Sequence, residues 1–422
     1  MLDRPEYLNA LKRHQDKSNL IKVVTGIRRA GKSTLLELFK NHLAETGVPD
    51  SRIVGINLES KENSAYRDGD ALYDYIKSQI KTGVLHYVFI DELQMASGYE
   101  DVGNSLRMMK NVDLYVTGSN SRILSSENEN GGKGLSSGKN LTKWGGRYID
   151  IRVLPLSFKE YASAFPKNAM TVDSLFKNYL EQSSFPETLE YIKDGEYDSA
   201  GVQEYLDSVY NSVILKDIMT QPGIKDVTLL ERVVNFMFAN IGSETSIHNV
   251  AGVLNNDLKL RADEKKVYSA TLENYLNALQ NGYLFYKAAR HYAKGKEYLK
   301  TNAKYYAADM GLRYYLLGGN SETDAGHILE NIVYLELLRR GHKVKVGRVD
   351  DKEIDFVAQK PGGRIEYYQV SQTVLDPATL RRELAPLEQV KDSYPKFLLT
   401  RDYDNSVYRG IRHKNVLEWL LE

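Results

Sequence analysis

Two rhythms of apolar residues alternate along the first 155 positions of the chain. Short β-branched or aromatic runs at Ile21–Thr25, Ile53–Leu58, Tyr87–Ile90, Asp113–Thr117 and Tyr148–Val153 have the length and composition of buried strands. Between them, apolar residues recur at helical spacing. In Ser33–Thr46 these are Leu35, Leu36, Leu38, Phe39 and Leu43, and the same spacing predicts helices over Asp70–Lys81 and Tyr99–Lys110. Strand and helix in turn predict an α/β domain with a mostly parallel sheet covered on both faces. Residues 126–146 (SENENGGKGLSSGKNLTKWGG) break the rhythm, and so many Gly, Ser and Asn predict a loop.

From Ser157 to about Asp217 the pattern turns helical and rich in tyrosine. Residues 227–290 hold two or three short helices ending in Val267–Asn281, with Val267, Leu272, Leu276 and Leu279 on one face. Two strands around Lys294–Lys296 follow, and helices ahead of a β-hairpin outline a winged helix. A long helix, His327–Arg340, stops at Gly341. Strands Val344–Arg348, Glu353–Ala358 and Ile365–Val370, helix Ala378–Lys391, strand Lys396–Leu399 and helix Asn415–Leu421 predict a further α/β domain. The expected division is a nucleotide domain over 1–156, a helical region over 157–225, a winged-helix-like domain over 226–318 and an α/β domain over 319–422.

Composition narrows the function classes. The 422 residues contain no cysteine, which excludes disulfide scaffolds, thiolate metal sites and cysteine nucleophiles. Lys plus Arg and Asp plus Glu are both 56, so a globally basic nucleic-acid binder is excluded and only a local basic face could serve. No apolar run approaches the roughly 20 residues that cross a bilayer, and the charged start MLDRPEYLNALKRHQDK is unlike a secretory signal. The expectation is a cytoplasmic protein without a membrane partner.

Candidate chemistry begins at Gly26-Ile27-Arg28-Arg29-Ala30-Gly31-Lys32-Ser33, an ungapped G-x-x-x-x-G-K-[ST] between a predicted strand and a predicted helix. This spacing turns successive N–H groups onto a β-phosphate and adds the positive end of the helix. Lys32 is expected to reach the β and γ phosphates of ATP and Ser33 to bind Mg²⁺, while Thr34 supports the helix start. The run Tyr87–Glu92 ends a buried strand in two acids, which is costly unless a cation sits there. Asp91 is the expected second Mg²⁺ residue and Glu92 the group that orients or deprotonates water. A third strand ends Val116-Thr117-Gly118-Ser119-Asn120, where Asn120 and Ser119, with Thr117, are candidates to contact the γ-phosphate or the water. Arg147 precedes a strand and is a candidate arginine finger, presented in cis or by a neighbouring copy of a homo-oligomer.

These motifs resemble the prokaryotic AAA-superfamily ATPases that carry a C-terminal domain of unknown function. Besides the loop, FIDELQ and LYVTGSN, the resemblance rests on PLSFKEY at Pro155–Tyr161, YLEQSSFPE at Tyr179–Glu187, ADMGLRYYLLG at Ala308–Gly318, GHILENIVYLELLRRGHKV at Gly326–Val344, KEIDFVAQ at Lys352–Gln359 and YYQVSQTV at Tyr367–Val374. It covers essentially the whole chain and implies an ATP-binding protein. Ser183–Ser184 stands where such segments have a middle glycine.

Glu330 on a helix, Asp355 after a hairpin and Gln369-Val370-Ser371 at a strand end follow the order of a restriction-endonuclease-like core. Such chemistry needs two acids to place Mg²⁺ and a lysine to steady water or phosphate. With Gln369 and Ser371 in place of acid and lysine, the expectation is a nuclease-like fold without nuclease activity. Basic residues Lys259, Arg261, Lys265 and Lys266 precede the wing, and Lys287, Arg290, His291, Lys294, Lys296 and Lys300 surround it. Residues 259–300 and the C-terminal domain are therefore the candidate DNA surface. The leading reading is an ATPase coupling nucleotide state to DNA-related accessory domains. The alternative is a nucleotide-gated protein-interaction scaffold, and a small-molecule kinase is the third class.

Overall fold

The computed structural model describes residues 2–124, 144–166, 169–193, 196–258, 268–292, 303–319 and 324–422. The chain divides into two compact units, Met1–Val153 with Asn281–Tyr283, and Leu154–Gln280 with Leu284–Glu422. Residues 126–143 of the expected loop 126–146 lie outside the described residues, as do Lys259, Arg261, Lys265, Lys266, Lys294, Lys296 and Lys300. Among the described residues no helix is long and apolar enough to cross a membrane.

The first unit runs α1 (Pro5–Arg13), β1 (Ile21–Thr25), α2 (Lys32–Glu45), β2 (Ile53–Asn57), α3 (Gly69–Gln79), β3 (His86–Asp91), α4 (Tyr99–Met108), β4 (Val112–Gly118) and β5 (Tyr148–Arg152). Its sheet has the order β2-β3-β4-β1-β5 and is parallel throughout. Strands β1 and β4 are buried at every residue, as expected for the centre of a parallel sheet covered on both faces. The edge strand β2 alternates instead. On α2, Leu35, Leu36, Phe39 and Leu43 face inward, and Phe39 packs with its ring 5.0 Å from that of Tyr115.

Inside the sheet lies a fully buried ion pair, Lys22 on β1 with Asp113 on β4. Asp113 also accepts from the Tyr115 hydroxyl at 2.7 Å and from the Asp16 N–H at 2.9 Å. Burial of two charges costs several kcal/mol unless the remaining hydrogen-bond capacity is met, and here it is.

The second unit opens with α5 (Phe158–Ser163), α6 (Val172–Glu181), a small hairpin β6 (Ile192–Lys193) and β7 (Glu196–Tyr197), and α7 (Ser199–Ser212), which continues as a π-helical turn over Val213–Ile218. Then come α8 (Val227–Ala239), β8 (Glu244–Thr245), α9 (Ile247–Leu258), α10 (Ser269–Asn281), β9 (Phe285–Tyr292), β10 (Ala303–Ala307), α11 (Met310–Leu317) and α12 (Ala325–Arg339). The chain ends with β11 (Lys343–Val349), β12 (Lys352–Gln359), β13 (Ile365–Val370), α13 (Pro377–Gln389), β14 (Lys396–Thr400), β15 (Val407–Tyr408), β16 (Ile411–Asn415) and α14 (Val416–Leu421).

One sheet of nine strands, ordered β15-β16-β14-β13-β12-β11-β9-β10-β8, unites this unit. The sequence boundary expected at 318/319 therefore falls inside a continuous sheet. Strand β9 pairs in parallel with β11, Val346 opposite Arg290, so the hairpin edge is covered by the following α/β layer instead of by solvent. Strand β16, which the apolar pattern did not predict, alternates buried and less buried residues and pairs with β14.

The serines at 183 and 184 have a structural role. Ser183 adopts φ 77°, the left-handed region that favours glycine, at a cost of roughly 1–2 kcal/mol for other residues. Its neighbour offsets this, because the Ser184 N–H and hydroxyl both donate to buried Asp309, at 2.7 and 2.6 Å. Asp309 in turn caps α11 by accepting from the Leu312 N–H.

Candidate functional site

In a parallel sheet every strand ends on the same side. Because β4 lies between β1 and β3, the segments following these three strands meet although their residues are far apart in sequence. Thr25 stands opposite Gly118, and Ile90 opposite Val116. The Gly26–Ser33 loop, the Asp91-Glu92 pair and the 117–120 segment therefore converge.

The loop is shaped to leave a cradle. Gly26 has φ 143°, and a Cβ there would stand 2.1 Å from the Val153 carbonyl oxygen, so no side chain fits. Ile27 and Ala30 turn inward and are fully buried, and the Arg4 guanidinium donates to the Ala30 carbonyl at 2.8 Å. Arg28 pairs with Glu59 at 2.9 Å, and Arg29 takes φ 68° on the exposed side. Gly31 precedes α2 in the left-handed conformation. Lys32 is buried, its ammonium donating to the Gly26 and Ile27 carbonyls at 3.0 and 3.1 Å. Ser33 and Thr34 are exposed on the first turn of α2.

Ser33 Oγ donates to Asp91 Oδ2 at 2.7 Å, and Thr117 Oγ1 donates to Asp91 Oδ1. The same Thr117 oxygen accepts the Glu92 N–H at 2.8 Å. Glu92 is 7 % exposed, and its Oε2 accepts from Ser119 Oγ at 3.1 Å and from Gln94 Nε2. Thus Thr117 orders both acids, and Ser119 meets Glu92. Asn120 is also buried, and its carbonyl accepts the Ile123 N–H. Gln94 was missed by the sequence argument, although its place two residues after Glu92 was available. Adjacent serine and carboxylate oxygens suit Mg²⁺, which takes oxygen ligands and keeps several waters.

Arg147 is not part of this cluster. Its carbonyl accepts the Ile21 N–H at the start of β1, whereas the loop follows the end of β1. The five residues of β5 separate the two ends by about 16 Å at 3.3 Å per residue. Arg152, opposite Thr25, is the β5 arginine at the loop end.

A second charged cluster lies in the nine-stranded sheet. Glu330 accepts from Lys304 at 2.8 Å and from the Tyr306 hydroxyl. Lys304 also pairs with Glu353 at 2.7 Å. Burial would lower the Lys304 pKa, but Glu330, then Asp355 and Glu353, hold it above the ordinary lysine value. Asp355 is pushed well above the carboxylate range, chiefly by burial and then by Glu330. The expectation that Ser371 leaves these acids without a lysine is corrected: β10 supplies one. Gln369 is a connector, accepting the Asp355 N–H at 3.4 Å and donating to Glu383 at 2.9 Å. Among the described residues no group of three or more His, Cys, Asp or Glu could hold a metal ion. Of the wing residues, Lys287 is exposed, while Arg290 is bound by Glu244 and, at 3.2 Å, by Glu353.

Residues 18–162 match the AAA domain family and residues 173–323 a domain of unknown function, DUF8612. With the sheet order and the loop geometry, these matches define an AAA-superfamily P-loop ATPase domain joined to an uncharacterised second region. The chain is 34% identical over 426 residues to an uncharacterised protein of Haemophilus influenzae, covering 100% of this chain and 99% of that protein, and belongs to its family. An uncharacterised Methanocaldococcus jannaschii protein, MJ1544, is 26% identical over 81% of this chain and 70% of its own length. Among solved structures, the ORC2 protein of Aeropyrum pernix in ADPNP–ADP complexes aligns at TM-score 0.37 with 12% identity, covering 79% of this chain and 93% of that one.

Proposed function

We propose that the protein binds ATP with Mg²⁺, hydrolyses it, and uses the nucleotide state to control its second unit. The observation that carries this reading is the joint arrangement of Lys32, Ser33, Asp91 and Glu92 at the ends of three adjacent strands. Lys32 would exchange its two carbonyl partners for β- and γ-phosphate oxygens. Ser33 and Asp91 would hold Mg²⁺, which supplies charge neutralisation of the phosphates. Glu92 would accept the proton of the attacking water, with Asn120 as a further contact to the γ-phosphate. Arg147, at the far end of β5, acts on a phosphate only when a second copy presents it, so turnover should rise with protein concentration. Glu92→Gln should keep nucleotide binding and stop phosphate release. Phosphate release at the wild-type rate in that variant would refute the reading.

The client of the second unit is DNA in the leading reading. It is supported by the order α8, β8, α9, α10, β9, β10, which resembles the outline of a winged helix, and by the order helix, three antiparallel strands, helix, parallel strand over residues 325–400, which resembles that expected of a nuclease-like core. One observation favours a protein client instead: Arg290 is already neutralised by carboxylates. A salt titration of duplex and single-stranded DNA binding, with and without ATP, separates the two. A log–log slope of several units identifies DNA, and no binding at low salt identifies the scaffold.

A further inference from the structure

The segment that follows β3 has an uncommon backbone. Glu92 adopts φ 56° and ψ 47°, and the short 3-10 turn Leu93–Met95 follows directly. This reversal brings the side chain of residue 94 back against that of residue 92. Gln94 Nε2 donates to Glu92 Oε2, and Ser119 Oγ, from beyond the end of β4, donates to the same oxygen at 3.1 Å. Among the described residues the other oxygen, Oε1, accepts no hydrogen bond. The orientation of the Gln94 amide follows from electrostatics, since its carbonyl turned toward a carboxylate would be repelled. Its Oε1 therefore points away and is buried without a hydrogen-bond partner. That oxygen lies 3.0 Å from where a Cβ of residue 118 would stand, and residue 118 is glycine. A buried acceptor without a donor is a cost that folded proteins avoid unless the site gains from it.

We infer that Gln94 is a positioning residue for hydrolysis: with Ser119 it pins Oε2 of Glu92 so that Oε1 alone faces the attacking water, and Gly118 leaves room for its amide. This rests on the ATPase reading above. In the step concerned, the water oxygen bonds to the γ-phosphorus and its proton passes to Glu92 Oε1. The bond from the γ-phosphorus to the bridging oxygen breaks, ADP leaves with that electron pair, and the proton returns to solvent. A carboxylate free to rotate would meet the water in the wrong orientation for most of the time.

The test is steady-state phosphate release by the full chain, with nucleotide affinity measured separately. Gln94→Ala should lower kcat by about tenfold to a hundredfold, the weight of one hydrogen bond to a charged group, while KM and nucleotide affinity stay at wild-type values. Gly118→Ala, whose Cβ would crowd the Gln94 amide and equally the Ile123 side chain at 3.0 Å, should reproduce part of that loss, and Ile123→Val in the same chain should relieve only the apolar part of the crowding. Gln94→Glu should fall below Gln94→Ala, because like charge displaces Glu92. In a Glu92→Gln background, adding Gln94→Ala should cost less than twofold in the residual single-turnover rate, since the group it positions is already gone. A purely structural glutamine would lower nucleotide affinity, or act additively in that background, and either result overturns the assignment. An unchanged kcat in Gln94→Ala, with Glu92→Gln inactive, overturns it while sparing the hydrolysis reading. Wild-type turnover in Glu92→Gln removes both.

Discussion

Replacing Lys32 by alanine isolates the charge on which nucleotide binding depends. The ammonium donates to two loop carbonyls, at 3.0 and 3.1 Å, and water can take over both in the variant. The stability of the empty protein should therefore change little. With ATP the balance differs. One unit charge at about 4 Å contributes about 4 kcal/mol at an effective dielectric constant of about 20. Water and the remaining loop N–H groups recover part of this, so an affinity loss of about a hundredfold, about 2.7 kcal/mol, is the expected outcome. Thermal unfolding reads it directly. At an ATP concentration of about 100 times the wild-type Kd, linkage stabilises the wild type by about 2.7 kcal/mol. That raises Tm by about 5–10 °C for a domain of roughly 150–250 residues. At the same concentration the variant should gain only about 0.4 kcal/mol, or about 1 °C. An equal ATP-induced shift in wild type and Lys32→Ala would show that the loop does not hold the nucleotide.

Three further outcomes test the structure elsewhere. Asp113→Ala strands the fully buried Lys22 ammonium and should destabilise the first unit by about 3–5 kcal/mol, visible as a lower urea midpoint with Lys32-dependent ATP binding retained at low denaturant. Lys304→Met leaves the buried Glu330 without its cation, while Glu353 keeps Arg290, and should cost about as much in the second unit; wild type incubated with plasmid and Mg²⁺ or Mn²⁺ should leave it uncut. Plasmid cleavage that vanishes in a Glu330→Ala, Asp355→Ala double variant would contradict this. Burial holds His342 below the ordinary histidine value despite the opposing effect of Glu366, so the folded state refuses a proton that the unfolded chain accepts. Its contribution is complete above about pH 6.5 and is lost as pH falls below that value, and His342→Asn should reduce the stability loss between about pH 7.5 and 5.5.

The apolar pattern was enough to lay out the strands and helices of the first unit and to locate its candidate site. Short apolar runs such as those in β1 and β4, alternating with helical spacing, pointed to a covered parallel sheet, and the glycine spacing around Lys32 depends only on neighbours in sequence. Ser33, Asp91 and Glu92 were legible for the same reason: each sits at a strand or helix boundary marked by its own flanking residues. Contacts between strands remote in sequence came from the fold alone. Strand order placed Thr117 between the two acids and Ser119 on Glu92, and the left-handed turn at Glu92 brought Gln94 to the same oxygen. The direction of β5 carried Arg147 to the far end of the sheet, which a residue's position before a strand cannot reveal. In the second unit, pairing of β9 with β11 joined two expected domains and set Lys304 beside Glu330. Hydrophobic periodicity records which residues are buried but not which strands are neighbours, and the ammonium that balances a buried carboxylate is chosen by that pairing.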